Sequence, residues 1–252
     1  MEFLVDIGNG RIKWGSLADQ MLGSFGNEPR PSQEFDAFAN QNWLPVVPPP
    51  TRVWVSNVGG PRIFKALAGW VQQQWQVETR LVESAASGWG VANAYYEPRR
   101  LGTDRWCKLI AARSVFAQAT FIVDCGTAMT LDVLDSGGGH LGGLILPGLG
   151  LMRRSLQDKT QGVRVQSRPG RRQEQFLLAR ETSGAVIGGT LYAAVAVIDR
   201  VAQDIENELG VSLKRLIAGG DASLVLPLLQ PGFELHPHLV LEGLSIIATR
   251  PQ

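Results

Sequence analysis

The chain has 252 residues, 44% of them hydrophobic and 19% charged, which is ample for a packed core and argues against a disordered chain. Twenty-four Lys and Arg oppose 23 Asp and Glu, so the net charge of +1 gives no general pull toward nucleic acid or acidic membranes. Two cysteines, Cys107 and Cys125, exclude a disulfide framework, and His140, His236 and His238 are too scattered for a Cys/His zinc site.

The chain opens with acids at Glu2 and Asp6, where a secretory signal needs a basic start and an apolar run. Glu2–Asp6 reads as a strand buried on both faces, because Phe3, Leu4 and Val5 are consecutive. The turn Ile7-Gly8-Asn9-Gly10 follows, then a short strand over Arg11–Trp14. Residues 29–50 hold six of the 14 prolines and read as a connection without an element. Arg52–Ser56 is a strand. Pro61 opens a helix in which Ile63, Leu67, Trp70, Val71 and Trp75 recur at helical spacing. A strand over 79–83, a loop to Leu101 and a helix from about Arg105 to Ala117 complete the first half.

The second half begins in the same way. Phe121-Ile-Val-Asp124-Cys-Gly126-Thr127-Ala128 aligns with Phe3-Leu-Val-Asp6-Ile-Gly8-Asn9-Gly10 at an offset of 118 residues, nearly half the chain. The repeat predicts two related domains, 1–117 and 118–252, not a solenoid. Gly137-Gly-Gly139-His-Leu-Gly142 matches G-x-G-x-x-G, but Leu144–Pro147 after it is strand-like, so it reads as a glycine-rich hairpin. Leu191, Val195, Ile198, Ala202, Ile205 and Leu209 mark one helix face, with Gly210 as its C-terminal cap. Leu213–Ala218 is a strand running into Gly219-Gly220-Asp221.

The two Asp-x-Gly turns are the first candidates for chemistry. Glycine admits close backbone approach, turn N–H groups can cradle phosphate, and an aspartate beside them can hold a cation. No P-loop and no G-x-S-x-G element is present. In Leu101-Gly102-Thr103-Asp104-Arg105-Trp106, Asp104 can be a first-turn helix acid or a general base, and Arg105 an anion binder. Eight basic residues against two acids between 153 and 180 read mainly as a solvated loop. Phe176 alone is too little aromatic interleaving for a nucleic-acid groove. Thr182–Ile198 is free of charge over 17 residues, close to a membrane span in length; it reads as a helix needing cover on more than one side, a second subunit being the simplest.

Taken together, these residues resemble the type III pantothenate kinases. The resemblance is carried by Asp6-x-Gly8-Asn9, Asn93-x-Tyr95 before Pro98, Gly102-x-Asp104-Arg105, Asp124-x-Gly126-Thr127-Ala128, Gly142-Gly143 with Pro147-Gly148, Thr182 and Gly219-Gly220. It implies an α/β fold of duplicated ribonuclease-H-like, actin-like ATPase domains, with mixed sheets flanked by helices. It also implies phosphorylation of pantothenate by ATP with Mg²⁺, in a cytoplasmic homodimer without nucleic-acid or membrane partners. By similarity, Asp6, Ile7, Gly8, Asn9, Gly10, Arg11, Ile12 and Lys13 form the first ATP loop, and Thr127 belongs to the second. Tyr95, Gly102, Thr103, Asp104, Arg105 and Thr182 would contact pantothenate, Asp104 as proton acceptor and Arg105 as a two-bond partner for the carboxylate. Asp124 would bind a monovalent cation, K⁺ or NH₄⁺. Gly10 stands where the family usually has Thr or Ser, which removes a hydroxyl from the first loop. The alternative reading is a weak or inactive relative serving as an accessory protein.

Overall fold

Phe3, Leu4 and Val5 are buried on both faces of β1 (Glu2–Ile7) in the computed structural model, which describes residues 1–32, 34–45, 49–164 and 178–250. Strands β2 (Arg11–Ala18) and β3 (Met21–Pro29) continue antiparallel from it. Their two-residue turn, Asp19-Gln20, has positive φ at both positions, 50° and 63°, as the twist of a tight hairpin demands. Sequence reading ends the second strand at Trp14 because this turn lacks the usual glycine. β4 (Arg52–Asn57) and β5 (Glu78–Leu81) join in parallel, giving the order β3-β2-β1-β4-β5.

The proline-rich stretch is more than a connection. Helix α1 (Phe35–Asn42) lies within it, because Phe35, Phe38 and Ala39 share one face and carry Trp43 into the core. Trp43 is fully buried and meets Phe3, Trp14, Phe35, Phe38 and Trp70 edge-on at 5.5–6.0 Å between ring centres. Helix α2 (Pro61–Gln74), with Pro61 in its first turn, supplies Leu67, Trp70 and Val71 to the same cluster.

The short strands β6 (Ser87–Gly88) and β7 (Val91–Ala92) precede α3 (Thr103–Val115), in which Arg105 to Ala112 are all buried. The second sheet is built from β8 (Thr120–Cys125), β9 (Ala128–Leu134) and β10 (His140–Pro147). After them come α4 (Leu149–Lys159), α5 (Thr182–Leu209), β11 (Lys214–Ala218), α6 (Ala222–Val225), β12 (Phe233–Leu235) and α7 (Leu239–Thr249). Its order, β10-β9-β8-β11-β12, repeats that of the first sheet strand for strand, with β8, β11 and β12 parallel. The G-x-G-x-x-G segment forms the β9–β10 turn, where Asp135 accepts N–H bonds from Gly137 and Gly139.

The chain clusters into two compact units. The first comprises Met1–Gln118, Asp132–Gly142 and His238–Gln252; the second comprises Ala119–Leu131 and Gly143–Pro237. In the first, α3 and α7 pack on each other and on β4, and α7 also on β1. Gly243 of α7 lies so close to the Cys107 backbone that a Cβ there would stand 2.0 Å from its carbonyl oxygen. In the second, α5 is capped by the Glu181 carboxylate, which accepts the Ser183 and Gly184 N–H groups, and ends at Gly210 with φ 66°. The buried stripe of α5 is Val186, Thr190, Ala194, Ile198 and Ala202. The expected face is therefore offset: Leu191, Val195 and Ile205 are only half-buried and Leu209 is exposed. Repeats of four residues, not of three and four in alternation, set this narrower contact.

Candidate active site

In the first unit, β1 ends in the loop Gly8-Asn9-Gly10, closed by the Gly8 N–H donating to the Arg11 carbonyl at 3.0 Å. Asn9, Gly10 and Arg11 are exposed, while Ile7 and Ile12 are buried and Lys13 is half-buried. Arg11 is bound to Asn27 of β3, at 2.6 Å to its side-chain oxygen and 2.7 Å to its carbonyl. Asp6 is buried, and the Ser56 hydroxyl donates to it at 3.2 Å. Ser56 also lies 3.3 Å from the Thr103 hydroxyl, which accepts the Asn57 N–H at 3.0 Å. Thr103 thus ties the start of α3 to β4 and, through Ser56, to Asp6.

Gly102 is the N-cap of α3 and supplies no side-chain cap, and Asp104 stands in the first turn as its acidic residue, a place that favours a carboxylate. The Asp104 carboxylate pairs with Lys108, one turn on, at 3.5 Å; its side chain is 23% exposed and that of Lys108 only 1%. This i,i+4 pair was visible in the sequence as a spacing but is not distinctive there.

Arg105 departs from expectation. Its Nε and Nη2 both donate to Asp132 of β9, at 2.9 and 2.6 Å, so the two-bond fork assigned to a substrate carboxylate is already filled. Its Nη1 donates to the Tyr95 hydroxyl at 2.6 Å. Tyr95 is placed by Asn93, whose side-chain oxygen accepts the Tyr95 N–H while its amide donates to Ala85 and Pro98 carbonyls. His140 of β10 lies 2.9 Å from the same Asp132 through Nε2. Burial favours the neutral forms of both charged partners. Against it, the hydrogen bonds from His140 and Arg105 and the Arg105 charge hold the Asp132 carboxyl below its usual range, and the bonds and charge of Asp132, with Tyr95, hold the Arg105 guanidinium above its own. Asp132 and His140 were missed as functional candidates, because no local motif links them to Arg105, 27 residues away from Asp132.

In the second unit, Asp124 is half-buried at the end of β8. Gly219, at the end of β11, has φ +98°, and a Cβ there would stand 2.5 Å from an Asp124 carboxylate oxygen and from the Cys125 carbonyl. Only glycine fits beside this aspartate. The Asp221 N–H donates to the Cys125 carbonyl at 3.0 Å. Burial raises the Asp221 carboxyl above its ordinary value, with Arg153 opposing in part. Thr127 is exposed, and its carbonyl accepts the Gly148 N–H at 3.1 Å, tying the second loop to the start of α4. Thr182 is the exposed first residue of α5, and Arg153 donates to Thr190 at 3.1 Å. Of the basic stretch, Arg168, Arg171 and Arg172, with Glu174 and Phe176, lie outside the described residues. Among the described residues no group of three or more His, Cys, Asp or Glu is placed to hold a metal ion.

Two mixed sheets of one strand order, each opening on an Asp-x-Gly loop, define the duplicated actin-like ATPase architecture shared with sugar kinases. A Campylobacter jejuni protein described as a Baf family transcriptional activator has this fold, with a TM-score of 0.59, 20% identity and 98% of both chains covered. So does a Sinorhizobium meliloti protein described as a 2-dehydro-3-deoxygalactonokinase, with a TM-score of 0.58, 11% identity and 100% of both chains covered. The sequence places the chain more narrowly. It belongs to the type III pantothenate kinase family, whose sequence model matches residues 2–204. The type III pantothenate kinase of Nitrosococcus oceani is 43% identical over 98% of this chain and 94% of its own length. That of Alcanivorax borkumensis is 34% identical over the full length of both.

Proposed function

We propose that this chain transfers the γ-phosphoryl group of ATP to the primary hydroxyl of pantothenate, giving 4'-phosphopantothenate, the first step of coenzyme A biosynthesis. The observation that carries the residue assignment is Asp104, a partly exposed carboxylate fixed in the first turn of a buried helix and paired with a buried lysine. The hydroxyl oxygen attacks the γ-phosphorus as the bond to the β,γ-bridging oxygen breaks. ADP leaves with that electron pair, and the hydroxyl proton passes to Asp104. Residues 6–13 and Thr127 supply the two phosphate loops, and Tyr95, Gly102–Arg105 and Thr182 form the pantothenate contacts, with Arg105 acting through Tyr95. Asp124 would hold a monovalent cation, which together with the Mg²⁺ accompanying ATP would supply charge neutralisation on the phosphates. The strand-for-strand match of the two sheets supports a duplication at 1–117 and 118–252. No observation favours the accessory-protein reading.

The active form is a cytoplasmic homodimer. On α5 the buried stripe is narrow, while Tyr192 is 53% exposed and Ala185, Gly189, Ala193 and Ala196 are also exposed. Leu144 and Ile145, on the outermost strand of the second sheet, are likewise exposed. By length and composition α5 could cross a membrane. The bond from Arg153 to Thr190 and the charged run Asp199–Glu208 fit a helix covered by protein instead.

A coupled ADP-release assay tests the assignment. Release is expected to require pantothenate and to be faster in potassium or ammonium than in sodium at equal ionic strength. ADP release indifferent to pantothenate overturns the kinase reading, and equal rates in the three salts overturn the cation site.

A further inference from the structure

We infer that the β9–β10 hairpin sets the affinity for pantothenate: Asp132 and His140 are positioning residues that hold Arg105 against the Tyr95 hydroxyl. The inference rests on the proposed contact between Tyr95 and pantothenate and deepens it. All four side chains belong to the first unit.

The Asp132 carboxylate, 2% exposed, receives three donors: Nε and Nη2 of Arg105 and Nε2 of His140. A carboxylate oxygen only accepts, so the His140 Nε2 carries its proton toward Asp132 and the ring contributes orientation rather than a lone pair. The other ring nitrogen, Nδ1, is buried without a hydrogen-bond partner among the described residues. That is an unfavourable place for a polar atom. Apolar residues of the same volume often serve stability as well as a buried ion pair does. The network therefore calls for a role other than packing, and its output is visible at the far end. With two nitrogens fixed on Asp132, Arg105 directs Nη1 at the Tyr95 oxygen at 2.6 Å. The guanidinium also stands 5.4 Å from the Tyr95 ring centre, and the His140 ring lies nearly parallel to that ring at 6.2 Å. Because the Tyr95 oxygen accepts from Arg105, its own proton is left to donate, and a cation behind a phenol makes it a stronger donor to an anionic or carbonyl oxygen. Asp104 immediately precedes Arg105 on α3, so the same anchor fixes the helix that carries it.

The test is steady-state kinetics with pantothenate and ATP varied separately, on His140→Leu, His140→Gln, Tyr95→Phe and the double variant His140→Leu/Tyr95→Phe. His140→Leu is expected to raise KM for pantothenate about tenfold, the worth of one well-placed hydrogen bond, with KM for ATP unchanged within about twofold. His140→Gln, whose amide can still donate to Asp132, is expected to recover most of that loss. In the Tyr95→Phe background His140→Leu should add nothing, since the hydroxyl through which it acts is gone. Additive effects, equal changes in both KM values, or a lowered Tm with unchanged KM overturn the inference and leave His140 structural. Unmodified protein that lacks pantothenate-dependent ADP release overturns the proposed function and this inference with it. Normal unmodified kinetics with an insensitive Tyr95→Phe variant overturn the Tyr95 contact.

Discussion

Asp104 and Arg105 are adjacent in sequence and have opposite fates: one carboxylate is left partly open, one guanidinium is buried and bonded through each of its nitrogens. Their neighbours explain this. Lys108 is buried beneath Asp104, whereas Asp132 and Tyr95 surround Arg105. Asp104→Asn keeps the shape and the helix and removes the proton acceptor. It is expected to leave pantothenate binding by calorimetry intact and to lower turnover by a factor of roughly 10²–10⁴; unchanged turnover would return Asp104 to a structural acid. Asp132 makes the pH prediction. It binds its proton more weakly folded than unfolded, so its stabilisation is present above the unfolded pKa of about 3.9 and lost as pH falls through the lower folded value. Asp132→Asn breaks a buried pair and is expected to destabilise by about 3–5 kcal/mol at neutral pH. Denaturant titrations should show that gap closing below about pH 4; a gap independent of pH would contradict the charged pairing. At this scale the motif residues were legible in the sequence. Their partners were not, because Asp132 and His140 reach Arg105 only through the fold.

At the scale of elements, legibility followed local signals. Pro61 and Gly210 mark the limits of α2 and α5 as expected, since each acts on its own backbone. Helix α1 was hidden because prolines crowd both flanks, and its warrant is tertiary: Trp43 completes the aromatic core. The contact of α3 with α7 is equally tertiary. It depends on Gly243, which lets one helix backbone lie against the other. Gly243→Ala raises helix propensity by up to about 1 kcal/mol in isolation. Here it is expected to destabilise instead, by about 1–3 kcal/mol or more, because a Cβ collides with the Cys107 carbonyl. Thermal melting gives the sign directly.

For the whole molecule, the duplication was legible from a short alignment because the central strand and its loop recur. The fine division into units was not, since the distal part of the β9–β10 hairpin and the segment from His238 cluster with the N-terminal unit. Ala196→Glu tests the proposed assembly. Ala196 is exposed on α5, so a charge there is tolerated by an isolated chain and opposed by an apolar partner surface. Sedimentation at micromolar concentration is expected to show a dimer for the unmodified protein and a monomer for the variant, and the melting temperature is expected to rise with protein concentration only for the unmodified protein. A monomeric, fully active unmodified protein would refute the dimer.

The threading of the first unit also constrains how the protein can be made. A nascent chain released as far as Pro237 has synthesised the whole N-terminal sheet but not α7, the helix that seats Gly243 on Cys107 and packs against β1 and β4. Until residues 239–249 leave the ribosome, the apolar side of α3 lacks its native cover. Vectorial folding therefore cannot finish the earlier half first: the last helix described closes the first sheet made, and the growing polypeptide carries that unfinished surface from the completion of α3 until α7 emerges.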